Sequence, residues 1–307
     1  MKKFAIVTGG TGFIGKNLIH KLVSDEWKVS ILHRKNSDLR KLLYDDIDYI
    51  DKYNIDEKSI SEIFRDISRR VDMERTVIFH IAALVQGGVC KDEDIDELIS
   101  SNVTYGTQIL NAAVEVGIKN FINTGTAWQH YNNEEYNPVN LYAASKEALE
   151  DILKYYEDAY GVKKITLQLF DTYGTNDSRK KILDLIFENI NNKKILNMSP
   201  GEQYIDLVYI DDIIDAYIIA ADYLLSHNYE KCGVYGVSSE EPIKLKELVR
   251  LVEDLTGSKT MINFGGRAYR QREVMEPWKN YPTLPGWRKK INIRDGICKL
   301  ISLYDNI

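Results

Sequence analysis

The stretch Phe4-Ala5-Ile6-Val7-Thr8-Gly9-Gly10-Thr11-Gly12-Phe13-Ile14-Gly15 decides the fold of this chain. Four apolar residues read as a short buried strand. Three glycines spaced G-x-x-G-x-x-G follow, and then Ile14, Leu18 and Leu22 recur at helical intervals. Each element has a mechanical reason. Gly9 takes a tight turn, Gly12 lets backbone N–H groups approach a pyrophosphate, and Gly15 removes a Cβ so that helix and strand pack closely. The helix N-terminus then meets the anion with unpaired donors and the positive end of its dipole. A glycine cluster alone is weak evidence. Placed between a first strand and a first helix, it predicts a dinucleotide-binding turn (Gly9, Thr11, Gly12, Phe13, Ile14) rather than an ordinary one.

Outward from that turn, apolar runs at Val29–Leu32, Val77–Ile81, Phe121–Ile122 and Ile165–Phe170 read as further buried strands. Between them lie helical patterns: Ile109, Ala112, Ala113 and Val116, then Leu149, Leu153 and Tyr156. This alternation predicts βαβ units and an α/β fold, a Rossmann-type doubly wound parallel sheet. After about residue 171 the rhythm becomes irregular, and five of the six prolines lie there. The expected division is a dinucleotide-binding domain over 1–170, with 207–240 returning to it, and a smaller C-terminal substrate-binding region from 171–206 and 241–307.

Composition narrows the function. Forty basic against 46 acidic residues leave a net charge of −6, which argues against a nucleic-acid binder relying on phosphate neutralisation. The apolar run Ile210–Leu225 is broken by Asp211, Asp212, Asp215 and Asp222, so no membrane span is expected. Cys90, Cys232 and Cys298 are odd in number and scattered, expected as structural filler in a reducing, cytoplasmic setting. The five histidines show no ligand spacing, and no metal is expected; His80 reads as a packed strand-end residue. Asp211-Asp212 is expected to complement a helix dipole and cap its free N–H groups.

The end of the second strand bears on the cofactor. An acidic residue there would bind the ribose 2′-hydroxyl, but Ile31-Leu32 runs into His33-Arg34-Lys35. Arg34 and Lys35 suit a 2′-phosphate, so NADP(H) is expected over NAD(H). Further on, Tyr142-Ala143-Ala144-Ser145-Lys146 puts a phenol and an ammonium one helical turn apart. An ammonium beside a phenol lowers its pKa toward useful values. Tyr-x-x-x-Lys is common by chance. Its weight here comes from lying shortly after Phe121-Ile122-Asn123-Thr124-Gly125-Thr126, whose terminal hydroxyl could hold a substrate oxygen against the same phenol.

Several landmarks join these. They are His80-Ile81-Ala82-Ala83, Asn102 with Gly106-Thr107, Tyr173-Gly174, Val208-Tyr209-Ile210-Asp211-Asp212 and Gly286-Trp287. Together, over nearly the whole length, the chain resembles an extended short-chain dehydrogenase/reductase of the NAD-dependent epimerase/dehydratase family, whose members act on nucleotide sugars. The resemblance implies that Tyr142 is the acid–base and that Lys146 binds the nicotinamide ribose while depressing the Tyr142 pKa. It implies that Thr126 takes the place of the family's catalytic Ser/Thr, and that Ala82 and Ala83 line the cofactor, with Phe170 beside them. It also implies a homodimer through helices around 92–116 and 142–158.

Departures narrow the chemistry. Dehydratases of the family carry Asp-Glu after the catalytic Thr, whereas Ala127-Trp128 stand here and neither transfers a proton. Ile205-Asp206 replaces the family's usual Arg-Asp, so the resemblance does not specify that part of the substrate pocket. Ser199-Pro200-Gly201-Glu202-Gln203 and Phe264-Gly265-Gly266 leading to Arg270-Gln271-Arg272-Glu273 resemble CDP-sugar 4-ketoreductases of the paratose/abequose synthase type. The expected reaction is NADPH-dependent reduction of a 4-keto nucleotide-linked deoxysugar, CDP-linked by preference. Arg270, then Arg179, would grip the diphosphate, and Trp128 would cover the sugar. A nucleotide-sugar epimerase that retains its cofactor and a non-catalytic NADP-sensing protein are the competing readings. Retention of Thr126, Tyr142 and Lys146 weighs against the second.

Overall fold

In the computed structural model, which describes residues 2–42, 50–88, 90–226 and 233–302, the chain alternates strands and helices from its first apolar run onward. The first half contains β1 (Phe4–Thr8), α1 (Phe13–Ser24), β2 (Lys28–His33), β3 (Ile50–Asn54), α2 (Ile60–Ser68), β4 (Thr76–His80), α3 (Asp92–Ile99), α4 (Tyr105–Val116), β5 (Asn120–Thr126), α5 (Leu141–Tyr160) and β6 (Lys163–Leu169). The second half contains β7 (Asp171–Tyr173), α6 (Ile182–Asn192), β8 (Leu196–Met198), β9 (Tyr204–Ile205), β10 (Leu207–Tyr209), α7 (Ile210–Leu225), β11 (Gly233–Val237), β12 (Ile243–Lys244), α8 (Leu245–Thr256), β13 (Ile262–Phe264) and α9 (Ile293–Ile301).

Seven strands form one sheet in the order β3-β2-β1-β4-β5-β6-β11, and every pairing in it is parallel. The expected doubly wound α/β sheet is therefore present. The order reverses between β1 and β4, the switch point where ligands of such sheets bind. Strand side chains alternate between two cores. Val7, Ile31 and Phe79 pack with Leu18 and Leu22 of α1 and with α7. Ile6, Leu32 and Ile78 pack with α2, α4 and α5 on the other face. Each fully buried Leu, Ile or Phe contributes about 1.5–3 kcal/mol. A capping box of Ser59 and Glu62 starts α2.

Strand β3 carries no apolar run, and the sequence reading places no strand there. It is an edge strand whose residues Asp51 and Lys52 are exposed, so it needs only Ile50 and Tyr53 for the core. Strand β5 runs to Thr126, well past Phe121–Ile122, because small polar residues there pair with β6. In the second half, β8 pairs with β13 and β9 with β12, tying 196–205 to 243–264.

Two expectations are corrected. Asp211 and Asp212 lie in the first turn of α7 and complement its dipole as expected, but Asp212 does not cap it; its carboxylate accepts the backbone N–H groups of Lys290 (3.1 Å) and Ile291 (3.0 Å), anchoring the C-terminal segment. Asp211 faces Lys299 at 3.6 Å. Cys298 is exposed on α9 and Cys90 is half-buried, so neither is core filler. Cys232 and His227 lie outside the described residues. Among the described residues no helix is long and apolar enough to cross a membrane, and no group of three or more His, Cys, Asp or Glu side chains is arranged to hold a metal ion.

Candidate active site

Parallel strands deliver their C-terminal ends to one edge of the sheet, and a cavity of about 1290 Å³ opens there. Its walls come from the segments that follow β1, β2, β4, β5 and β6, closed on the far side by 203–206 and 270–278. That volume exceeds a pocket for one small ligand (about 300–1,000 Å³) and suits two molecules lying side by side.

The glycine turn forms one end. Gly9 adopts φ +71°, and a Cβ there would sit 2.7 Å from the Ala82 nitrogen. A Cβ on Gly15 would lie 2.2 Å from the Gly9 carbonyl oxygen. Both sites therefore exclude side chains, which holds α1 tightly against β1. Gly12 begins α1 without any side-chain cap, so the first-turn N–H groups stay open toward the cavity. Thr11, Phe13 and Ile14 line the same end, Ala82 and Ala83 face it from just after β4, and Phe170 closes it from just after β6. This cradle fits a dinucleotide diphosphate.

Arg34 also lines the cavity, with its guanidinium exposed and, among the described residues, only a long contact to Glu97 at 3.8 Å. Lys35 does not. The turn closes between the Ser37 amide and the Arg34 carbonyl (3.0 Å), leaving Lys35 outside with its backbone N–H on Asp56. Asn36 and Ser37 take the lining position that the sequence reading assigned to Lys35.

Helix α5 brings Tyr142 and Lys146 to the cavity from one face, and Asn140 caps it by accepting the Ala143 N–H at 3.0 Å. Lys146 is 1% exposed, and its Nζ has no hydrogen-bond partner among the described residues. Burial lowers it from 10.5 to about 8. The expectation that Lys146 depresses the Tyr142 pKa is not met in this structure. Burial dominates and pushes the phenol up to about 12. Tyr142 is therefore neutral at physiological pH, the form that donates a proton. His80, fully buried with its Nδ1 on the Thr8 hydroxyl (3.0 Å), is driven down to about 3 by burial and by Lys146. It stays neutral and structural.

The two threonines of β5 separate cleanly. Thr124 also lines the cavity, but its hydroxyl is engaged: it donates to the His80 carbonyl (2.9 Å) and meets the Tyr217 hydroxyl (2.7 Å). Thr126 Oγ1 only accepts, from the Trp128 N–H at 3.3 Å, which leaves its own hydrogen for a cavity ligand. Trp128 stands edge-on to Tyr142, ring centroids 6.5 Å apart.

Of the two candidate arginines, Arg179 is already committed. Its Nε and Nη2 grip Asp177 (2.8 and 2.6 Å), Nη2 also reaches Thr172, and the group stacks 4.4 Å over Phe13. It braces the glycine turn. Arg270 donates one hydrogen bond from its side chain, Nη1 to the Gly87 carbonyl at 3.2 Å, and keeps the rest of its fork for the cavity. The sequence reading missed Asp171 and Trp278, which both line the cavity. Asp171 directly follows Phe170, a clue available in the sequence, and burial raises its carboxyl despite Lys181, Arg179 and Arg270. Trp278 stacks on His130 with centroids 3.7 Å apart, a contact across 148 residues that no local pattern announces.

The profile of the NAD dependent epimerase/dehydratase family matches residues 5–231. A CDP-abequose synthase of Salmonella muenchen is 27% identical over 99% of this chain and 99% of its own. One from Yersinia pseudotuberculosis is 29% identical over 90% and 92%. Among solved structures, a UDP-glucose 4-epimerase of Thermotoga maritima superposes with a TM-score of 0.81 at 21% identity, covering 98% of each chain.

Proposed function

The chain belongs to the NAD dependent epimerase/dehydratase family, and from that premise we propose that it is an NADPH-dependent reductase of a 4-keto nucleotide-linked deoxysugar. The observation that supports the reading is that a neutral Tyr142 phenol, the buried Lys146 ammonium and the Thr126 hydroxyl line the same cavity as the glycine cradle. Full-length similarity to CDP-abequose synthases supports a CDP-linked sugar.

When bound, the nicotinamide supplies the hydride that adds to the sugar C4 carbonyl carbon. Open N–H groups of the glycine turn hold its diphosphate, and Arg34 meets the 2′-phosphate that distinguishes NADPH. The Lys146 ammonium, without a hydrogen-bond partner among the described residues, bonds the ribose hydroxyls. The Tyr142 hydroxyl donates its proton to the oxygen as negative charge develops, and Thr126 donates a hydrogen bond to that same oxygen. The tyrosinate left behind is stabilised by Lys146 and reprotonated from solvent. Arg270 holds the nucleotide diphosphate, and Trp128 covers the sugar. Ala127 and Trp128 offer no second acid–base pair, which disfavours water elimination.

An epimerase that keeps its cofactor is the second reading, favoured by the fold likeness to a UDP-glucose 4-epimerase. Following the nicotinamide absorbance while 4-keto nucleotide sugars are supplied separates the two. Net NADPH oxidation supports reduction; an unchanged band with an altered sugar supports epimerisation and overturns our reading. We assign substrate binding to 171–206 and 241–307, and cytoplasmic action from the scattered cysteines, of which Cys90 and Cys298 are free. Exposed Ile95, Ile99 and Tyr155 on α3 and α5 support a homodimer through α3–α5. Sedimentation showing only a 35.4 kDa species at micromolar concentration overturns the dimer.

A further inference from the structure

Strand β5 overhangs its neighbour. Its pairing with β4 ends at Asn123 opposite His80, so Thr124, Gly125 and Thr126 run on beyond the end of β4. Thr126 is 8% exposed, and its main-chain N–H would be a buried donor with no strand partner on that side. One side chain fills the gap. Gln129, 1% exposed, sits three residues on, in the tight turn after β5. Its Oε1 accepts the Thr126 N–H at 2.8 Å, and its Nε2 donates to Glu147 Oε2 on α5. Glu147 directly follows Lys146 and lies five residues after Tyr142. A single amide thus joins the strand end that carries Thr126 to the helix that carries the phenol and ammonium. Gly125 makes room for the link, since a Cβ there would come 2.9 Å from Gln129 Oε1. Behind it, His130 Nε2 meets Gln168 Oε1 at 3.0 Å and steadies the same turn.

We infer that Gln129 is a positioning residue that sets the Thr126 hydroxyl against the Tyr142 phenol. Only an amide at this place accepts at one end and donates at the other. An apolar residue makes neither bond, and a carboxylate would face Glu147 with like charge. The inference rests on the proposed pairing of Thr126 and Tyr142 on one substrate oxygen.

The test compares the full chain as wild type, Q129L, Q129E and the reversed pair Q129E/E147Q. In the reversed pair a carboxylate at 129 accepts from both the Thr126 N–H and the new amide at 147, so both bonds are rebuilt. Two readouts are taken: amide hydrogen exchange at Thr126 without substrate, and kcat and KM with NADPH and a 4-keto nucleotide sugar. Q129L and Q129E speed exchange at Thr126 and lower kcat by about 10-fold or more, with the NADPH KM within about 2-fold, as expected when geometry is lost and binding is kept. The reversed pair returns both to within about 3-fold of wild type. Wild-type exchange and kcat in Q129L overturn the inference, as does a reversed pair no better than Q129E. If the wild type reduces no 4-keto sugar, the functional reading fails, while exchange at Thr126 still decides the bridge. If Q129L does not fold, the reversed pair, which keeps the shape of the native side chains, carries the decision.

Discussion

Replacing Lys146 by methionine is expected to make the cofactor-free protein more stable while removing its activity. The ammonium is 1% exposed and its Nζ has no hydrogen-bond partner among the described residues. Burial lowers its pKa from 10.5 to about 8. At ~1.36 kcal/mol per pH unit, carrying that charge at pH 7 costs the fold on the order of 3 kcal/mol. The sign follows from proton binding. Between about pH 8 and 10.5 the unfolded chain holds a proton that the folded chain has released, so wild-type stability rises with pH across that window. Methionine matches the stem, carries no charge and pays no such penalty. The gain for K146M is therefore largest at pH 7 and shrinks to roughly 1.5 kcal/mol at pH 9.5, by the same linkage. Thermal unfolding of both proteins from pH 7 to 9.5 reads this directly. The methionine form melts about 5–10 °C higher at pH 7, and the gap narrows as pH rises. A K146M protein that melts lower at pH 7, or a gap that does not change with pH, refutes the reasoning. The site thus holds a group that destabilises the fold and that a bound ligand can use.

Tyr142→Phe removes the proton donor and lowers kcat by about 10²–10⁴-fold; steady-state kinetics retaining more than about a tenth of wild-type turnover would remove the acid assignment. Arg34→Ala raises the NADPH KM by about 10- to 100-fold and leaves that for NADH unchanged, because a charge-assisted hydrogen bond is worth about 1.5–3 kcal/mol; equal effects on both cofactors contradict the 2′-phosphate role. With Lys146 lowered to about 8, reduction is flat near neutrality and falls above about pH 8 as the ammonium that stabilises the tyrosinate loses its proton. A pH–rate profile that rises through that range opposes the arrangement.

Features set by short-range chemistry were legible in the residues alone. Gly9 and Gly15 had to be glycines because backbone approaches within 3 Å of where a Cβ would stand. Alternation of Ile6 and Val7, or of Ile78 and Phe79, announced a sheet buried on both faces. Tyr142 and Lys146 shared a helical face by their spacing. The edge strand β3 escaped notice because an edge needs little apolar surface.

What the tertiary structure decided is everything that depends on distant neighbours. The phenol is raised, not lowered, because burial penalises its charged form. Thr126 and not Thr124 is free because Tyr217, 93 residues away, takes the other hydroxyl. Arg179 is held by Asp177 and Thr172, Asp212 anchors residues 290 and 291, and Trp278 reaches His130. Local sequence sets backbone preference and periodicity. Dielectric environment and the pairing of side chains arise only once the chain has folded and brought remote segments together.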